Sequence, residues 1–279
     1  MRSMDFKGRW VLVTGASSGL GKEITRLFAL EHGANVILVA RRVDRLRDLA
    51  RALEKDAGVQ VRVIEADLSR EADVERVYAE AIDHGEIYGV VLNAGVTYFG
   101  EHANLAWSEF SAMLATNVTS VVRLTSLFVP YLIARGREGG VLLVTSMGGL
   151  MPVPYQSAYS GTKGFLVNFG RALWHELQGS PVSITTFAPG GITTELTHNA
   201  GLSRHFKSTL TMMTPEACAR LAIRGFARRR YLHIPGLLNK LAALLIRILP
   251  QRLFVAAVGA EYKKALRALE APATREPAS

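Results

Sequence analysis

Ser146, Tyr159 and Lys163 are the side chains whose types and spacing could do chemistry together. Tyr159 and Lys163 stand at i and i+4, so on a helix they share one face. A phenol titrates near ~10, too high for a base at neutral pH. A neighbouring ammonium favours phenolate and lowers that value toward the working range. A hydroxyl, a phenol and an ammonium in one cleft would suit proton exchange with a carbonyl or hydroxyl oxygen. Chance supplies about 0.2 Tyr-x-x-x-Lys matches in a chain with eight tyrosines and eight lysines, so the pair needs support from its surroundings. Alone, the pair reads equally as an exposed helix pair, and Ser146 as a helix cap.

A second stretch, VTGASSGLG at 13–21, matches two chemistries. From Gly15 to Gly19 it is G-x-S-x-G, a hydrolase nucleophile elbow centred on Ser17. That motif belongs at the end of a late central strand and needs an acid and then a histidine downstream. Here it follows the first strand, and none of the seven histidines has triad or metal-site spacing. From Thr14 to Gly21 it is T-G-x-x-x-G-x-G, a phosphate-cradling turn. Gly15 makes the tight turn, Gly19 admits backbone to a pyrophosphate, and Gly21 lets the next helix pack on the strand. Ser17, Ser18 and Leu20 line the same turn, and the helix N-terminus faces the anion.

A dinucleotide fold normally carries an acid for the ribose 2′-hydroxyl about 20 residues further on. This chain has Ala40-Arg41-Arg42 there, with no carboxylate before Asp44. Guanidinium groups bind a 2′-phosphate that a carboxylate would repel, so Arg41 and Arg42 favour NADP(H) over NAD(H). The charge of the oxidised nicotinamide would add to that of Lys163 in lowering the Tyr159 phenol.

These residues need a frame that brings them to one edge. Candidate strands run over 10–14, 35–40, 59–65, 89–93, 140–145 and 182–188, with helical patterns near 20–32, 42–56, 71–83, 107–135 and 157–179. Runs such as VILVA and VLLVT are apolar throughout, as strands buried on both faces must be. The alternation predicts an α/β fold, a single Rossmann domain whose doubly wound parallel sheet of about seven strands carries helices on both faces. Residues 191–214 read as a polar loop with a short helix or two. A further helix is expected near 215–228, opened by Thr214-Pro215-Glu216, and a last short strand near 230–234. The expected division is a catalytic unit over 1–235 and a helical extension over 236–279.

In order along the chain, these motifs resemble the short-chain dehydrogenase/reductase family over about residues 8–235. The match rests on T14-G-A-S-S-G-L-G21, Asp67-Leu68, Asn93-Ala94-Gly95, Asn117, Ser146, Tyr159-x-x-x-Lys163, and Pro189-Gly190 with Thr194. The resemblance implies hydride exchange between a nicotinamide and a ketone or secondary alcohol. Tyr159 would exchange the proton, Ser146 would hydrogen-bond the same oxygen, and Lys163 would hold the nicotinamide ribose. Asn117 would complete a water-linked relay. Asp67 and Leu68 would contact adenine, and Asn93, with Ala94 and Gly95, would lie beside the cofactor. Pro189, Gly190, Ile192 and Thr194 would meet the nicotinamide end. Two departures stand out: Leu92 precedes Asn93 where many members have a second Asn, and Gly191 stands where a larger apolar residue is commoner.

The substrate expectation is a hydrophobic carbonyl compound, steroid-like, 3-oxoacyl or otherwise lipid-like, among Tyr98, Phe99, Met147, Met151, Val153, Pro154 and Tyr155. Leu202, Phe206, Leu210, Met212 and Met213 could line the substrate or pack on the core. Residues 236–249 form an amphipathic helix with Leu237, Leu238, Leu241, Leu244, Leu245, Ile248 and Leu249 on one stripe. That stripe could dock on the core, on a second subunit, or on a membrane surface with the basic residues toward lipid phosphates. A homodimer or homotetramer is expected. The net charge of +9 raises nucleic-acid binding, but no aromatic platform accompanies the basic clusters, so no nucleic-acid partner is expected. One cysteine and the lack of an apolar leader fit a cytoplasmic protein, with peripheral membrane contact left open. A non-catalytic NADP(H)-binding regulator and a membrane-surface scaffold working through the tail are the competing readings; the complete Ser–Tyr–Lys–Asn set argues against the first, and deletion of 236–279 tests the second.

Overall fold

The computed structural model describes residues 3–199, 212–248 and 250–270. Its strands are β1 (Trp10–Thr14), β2 (Asn35–Ala40), β3 (Val61–Glu65), β4 (Ile87–Leu92), β5 (Gly139–Val144), β6 (Val182–Phe187) and β7 (Leu232–His233). They form one parallel sheet in the order β3-β2-β1-β4-β5-β6-β7. The order reverses direction after β1, so the carboxyl ends of β1 and β4 flank the crevice where such sheets bind ligands.

Alternation along the strands splits the core in two. Val11, Val13, Val36 and Leu38 face one side, where α1 (Gly19–His32), α2 (Val43–Ala57) and α8 (Pro215–Ala227) supply Phe28, Leu46 and Phe226. Leu12, Ile37 and Val39 face the other, where α3 (Glu71–Asp83), α5 (Ser120–Ala134) and α6 (Ser157–Glu176) supply Val77, Phe128 and Leu166. Every one of these side chains is buried. Such strands are the apolar runs the sequence shows, because neither face meets water.

The helix expected over 107–135 is not continuous. It comprises α4 (Trp107–Leu114), a π-helical turn at Ala115–Thr119, and α5. The run is long and apolar enough to cross a membrane, but half of it is buried, with Leu124, Phe128 and Leu132 packed on the sheet.

The C-terminal part differs more. The predicted helix over 236–249 appears as α9 (Leu237–Ile248), and after Pro250 a longer helix, α10 (Gln251–Glu270), follows that periodicity had not suggested. The leucine stripe of α9 faces outward: Leu237 is 83% exposed, Leu241 51% and Ile248 68%. On the side opposite the stripe, Asn239 is buried. Its Nδ2 donates to Pro235 O at 2.9 Å, and its side chain fills the space where a Cβ on Gly190 would be. The bond to the Pro235 carbonyl satisfies a polar group that burial would otherwise strand. Leu249 of the stripe lies outside the described residues. In the loop after β6, α7 (Glu195–Asn199) is the short helix expected there; Leu202, Phe206 and Leu210 lie outside the described residues.

Candidate active site

Thr14, at the end of β1, ties two strands together. Its Oγ1 accepts from Asn93 N and Ala94 N, both at 3.0 Å, while Asn93 Nδ2 donates to Thr14 O at 3.0 Å. Asn93 alone braces this turn; Leu92, before it, is simply part of the sheet core. Gly15 turns the chain at φ 70°. A Cβ on Gly15 would stand 2.9 Å from Asn93 Nδ2, and one on Gly21 would stand 2.3 Å from Gly15 O. No side chain fits at either position, so backbone is left to line the turn.

Helix α1 starts above this turn without a side-chain cap. Ser18, the capping residue, gives its Oγ to Arg42 Nη2 at 2.6 Å, and Ser17 Oγ accepts from the same guanidinium at 3.2 Å. Uncapped N–H groups, two hydroxyls and a guanidinium thus meet at one place, a donor set that fits a dinucleotide's phosphates. Leu20 is buried beneath. Arg41, expected to act beside Arg42, also stands near enough to Asp67 for its charge to be felt there. At Asp67 burial opposes ionisation, but hydrogen bonds from Ser69 N (3.0 Å) and Ser69 Oγ (2.8 Å), with the charges of Arg41 and Arg70, hold the carboxyl below its ordinary value. Leu68 beside it is buried.

Ser146 follows β5, and Tyr159 and Lys163 lie in the first two turns of α6. Ser146 Oγ accepts from Gly148 N at 3.1 Å, which leaves its hydrogen to be donated. Lys163 Nζ lies 5.8 Å from the centre of the Tyr159 ring and donates to Val144 O at 3.1 Å. Burial lowers Lys163 to about 8. Burial also pushes the Tyr159 phenol up to about 12, over the downward pull of a hydrogen bond with Ser146. The sequence led us to expect the ammonium to bring the phenol down. Among the protein's own groups desolvation wins: Lys163 Nζ stands 5.8 Å from the ring centre and gives one hydrogen bond to Val144 O.

Asn117 lies in the π-turn, the kind of helix irregularity that recurs at functional sites. Its Oδ1 accepts from Val96 N at 2.9 Å, and its Nδ2 donates to Val96 O at 2.9 Å and Thr162 Oγ1 at 3.1 Å. A Cβ on Gly95 would stand 3.3 Å from both Asn117 Oδ1 and Lys163 Nζ. Gly95, Asn117 and Lys163 therefore converge.

On the far side, Pro189 O accepts from Met147 N at 2.8 Å, and Ile192 bridges to Met213. Thr194 lies 3.2 Å from where a Cβ on Gly19 would be, so the loop after β6 crosses the phosphate turn. Gly191 leaves room that a neighbour fills. Met212 Sδ occupies its side-chain space, 2.2 Å from where a Cβ would stand.

Several residues escaped the sequence reading. Tyr262 of α10 stacks edge-on against Phe99 at 5.8 Å and lies close enough to Tyr159 to oppose its ionisation. Gly259 admits Pro154 to the same helix. Pro154, Tyr155, Val255, Gly259 and Lys263 line a cleft of about 550 Å³ between α10 and the segment before α6. Tyr155 holds a left-handed backbone there, φ 63°. Glu195 bridges Arg42 and Arg45. Of these, only Phe99, Pro154 and Tyr155 had been legible as substrate-side positions.

Residues 9–204 match the family described as short chain dehydrogenase. Over 199 residues the chain is 33% identical to 17-beta-hydroxysteroid dehydrogenase type 3 of Mus musculus, covering 71% of this chain and 63% of that one. The matched segment is thus less than two thirds of that relative's length. Among solved structures, a short-chain dehydrogenase from Sphingobium yanoikuyae in complex with NADPH superposes with a TM-score of 0.76 at 28% identity, over 87% of this chain and 97% of that one. A 3-ketoacyl-(acyl-carrier-protein) reductase from Brucella melitensis complexed with NADH gives 0.72 at 25% identity, over 82% and 96%.

Proposed function

The chain belongs to the short-chain dehydrogenase/reductase family, and on that premise we propose that it is an NADP(H)-dependent oxidoreductase exchanging a hydride with a hydrophobic ketone or secondary alcohol. The observation that carries the cofactor choice is Arg42, whose guanidinium reaches both serines of the phosphate turn. A 2′-phosphate placed there would offer that guanidinium an anionic acceptor in place of two neutral hydroxyls. The nicotinamide, when bound, supplies the hydride or accepts it.

The chain's own residues handle the proton and the oxygen. Ser146 donates its hydroxyl hydrogen to the substrate oxygen, orienting it against Tyr159. The phenol, neutral at working pH because of its burial, gives its proton to that oxygen in reduction. Lys163 holds positive charge beneath the ring and replenishes the proton. The Asn117 amide is committed to Val96 and Thr162, which holds the turn that converges with Gly95 on Lys163. A substrate lying beside Tyr159 meets Phe99 and Tyr262, mainly apolar surface, which favours steroid-like or other lipid-like carbonyl compounds. NADPH consumption should be followed with steroids, 3-oxoacyl thioesters, aromatic ketones and sugars. Turnover confined to the sugars would overturn the hydrophobic-substrate reading.

We also infer that α9 lies on an anionic membrane surface. Its leucines face outward, and Lys240, Arg247 and Arg252 stand exposed beside them, complementary to lipid phosphates. Leu241→Glu with Leu245→Glu should abolish co-sedimentation with phosphatidylserine vesicles. A wild type that ignores the vesicles, with the leucines covered in a stable dimer, would overturn it.

A further inference from the structure

The loop after β6 is moored to α2 by one carboxylate. Glu195, the first residue of α7, pairs through Oε2 with Arg42 Nη1 at 2.8 Å and through Oε1 with Arg45 Nη1 at 2.7 Å. The rest of the Arg42 guanidinium points the other way: Nε and Nη2 reach Ser17 Oγ, and Nη2 reaches Ser18 Oγ at 2.6 Å. One planar cation is therefore shared between the phosphate turn and a carboxylate from a segment about 150 positions later. The preceding residue, Thr194, rests on Gly19, so the mooring lies across the turn itself.

Three physical points bear on what this carboxylate does there. First, the three side chains are 43–50% exposed, so a ligand can reach them. Secondly, an exposed ion pair is worth about 0–1 kcal/mol, so parting it costs little. Thirdly, a phosphate monoester carries roughly −1.5 to −2 at neutral pH and offers three acceptor oxygens, against one charge and two oxygens for Glu195. The hydrogen bonds from Arg42 and Arg45 hold the Glu195 carboxyl below its ordinary value, so it is a full anion at neutral pH.

We propose that Glu195 is an internal stand-in for the 2′-phosphate: it neutralises the arginines in its absence, competes with NADPH for them, and frees α7 when displaced. The proposal rests on the NADP(H) reading above. NADH has no group to displace the carboxylate, so with NADH the mooring stays closed. Glu195 thereby sets how strongly the chain prefers one dinucleotide over the other, although it belongs to the loop on the nicotinamide side.

The test is direct binding on the full chain, by calorimetry, of NADPH and NADH to wild type and Glu195→Gln, with hydrogen exchange of residues 193–199 as a second readout. Glutamine keeps the shape and removes the charge. The expected result is an NADPH Kd about 3- to 10-fold lower in the variant with the NADH Kd within twofold of wild type. In wild type, exchange across α7 should rise with NADPH and not with NADH. Equal changes for both dinucleotides, or a weaker NADPH Kd in the variant, would overturn the competition. A wild type that prefers NADPH by a margin the variant leaves untouched overturns the role of Glu195 alone. A wild type that prefers NADH, reversed by Glu195→Gln, overturns the NADP(H) reading alone and upholds Glu195 as the competitor.

Discussion

The two ends of the cofactor cleft are built on opposite physical terms. At one end Lys163 is 4% exposed and Tyr159 is desolvated, and the residues that hold them, Val144, Asn117 and Thr162, are themselves buried. At the other, Arg42, Arg45 and Glu195 stand about half in water and hold one another by charge. Burial is what moves a pKa by several units and fixes a proton's geometry. Exposure is what lets charges exchange partners at low cost. The Tyr159–Lys163 end is held by buried partners, and the Arg42–Glu195 end by half-exposed charges that can exchange.

The largest expected effect breaks the buried end alone. Tyr159→Phe removes the proton donor and leaves the ring, so turnover should fall by about 10²–10⁴-fold while the NADPH Kd stays within twofold. Stopped-flow hydride transfer with separate binding measurements would check this. Comparable losses in both would mean that the two ends are not separable.

The contrast is also visible in what the sequence disclosed. The buried end was legible almost residue by residue. Its strands announce themselves as unbroken apolar runs, and Gly15, Gly21, Ser146, Tyr159 and Lys163 sit at fixed offsets from those strands. The exposed end was only half legible. Arg42 could be read from its place after β2, but Glu195 could not, because its partners lie about 150 residues away in a Thr-rich loop without periodicity. The C-terminal helices teach a related lesson. Periodicity showed which residues of α9 share a face, but not which face docks. The buried amide of Asn239, bonded to Pro235 O and fitted against Gly190, marks the docked face, while Leu237, Leu238, Leu241, Leu244, Leu245 and Ile248 stand exposed. Tyr262 was hidden for the same reason: nothing in the local sequence of α10 marks one aromatic as reaching Tyr159.

A smaller effect sharpens the account of burial. Lys163 titrates at about 8 in the fold against 10.5 ordinarily. Between those values the unfolded chain binds more protons than the folded one, so stability rises with pH through that window. Below about pH 8 the buried ammonium is a standing cost. Lys163→Met should therefore abolish turnover yet raise stability at pH 7 by at most about 3 kcal/mol, and flatten the rise between pH 8 and 10.5. Thermal melts across that range would check it. A variant less stable than wild type at pH 7 would mean that the Val144 hydrogen bond outweighs the desolvation.

The smallest effect probes the exposed end by salt alone. Raising NaCl from 0.1 to 1 M shortens the screening length from about 10 Å to about 3 Å. Solvated arginines lose attraction for a phosphate under that change, whereas a buried lysine beside a buried phenol is hardly reached. The NADPH Kd should rise several-fold across the range, the NADH Kd should stay nearly flat, and turnover at saturating NADPH should hold within about twofold. Part of the NADPH loss will be masked, because salt also weakens Glu195's hold on Arg42 and Arg45; the slope for Glu195→Gln should therefore be the steeper of the two. A shallower slope in the variant would mean that the carboxylate and the phosphate do not share those arginines.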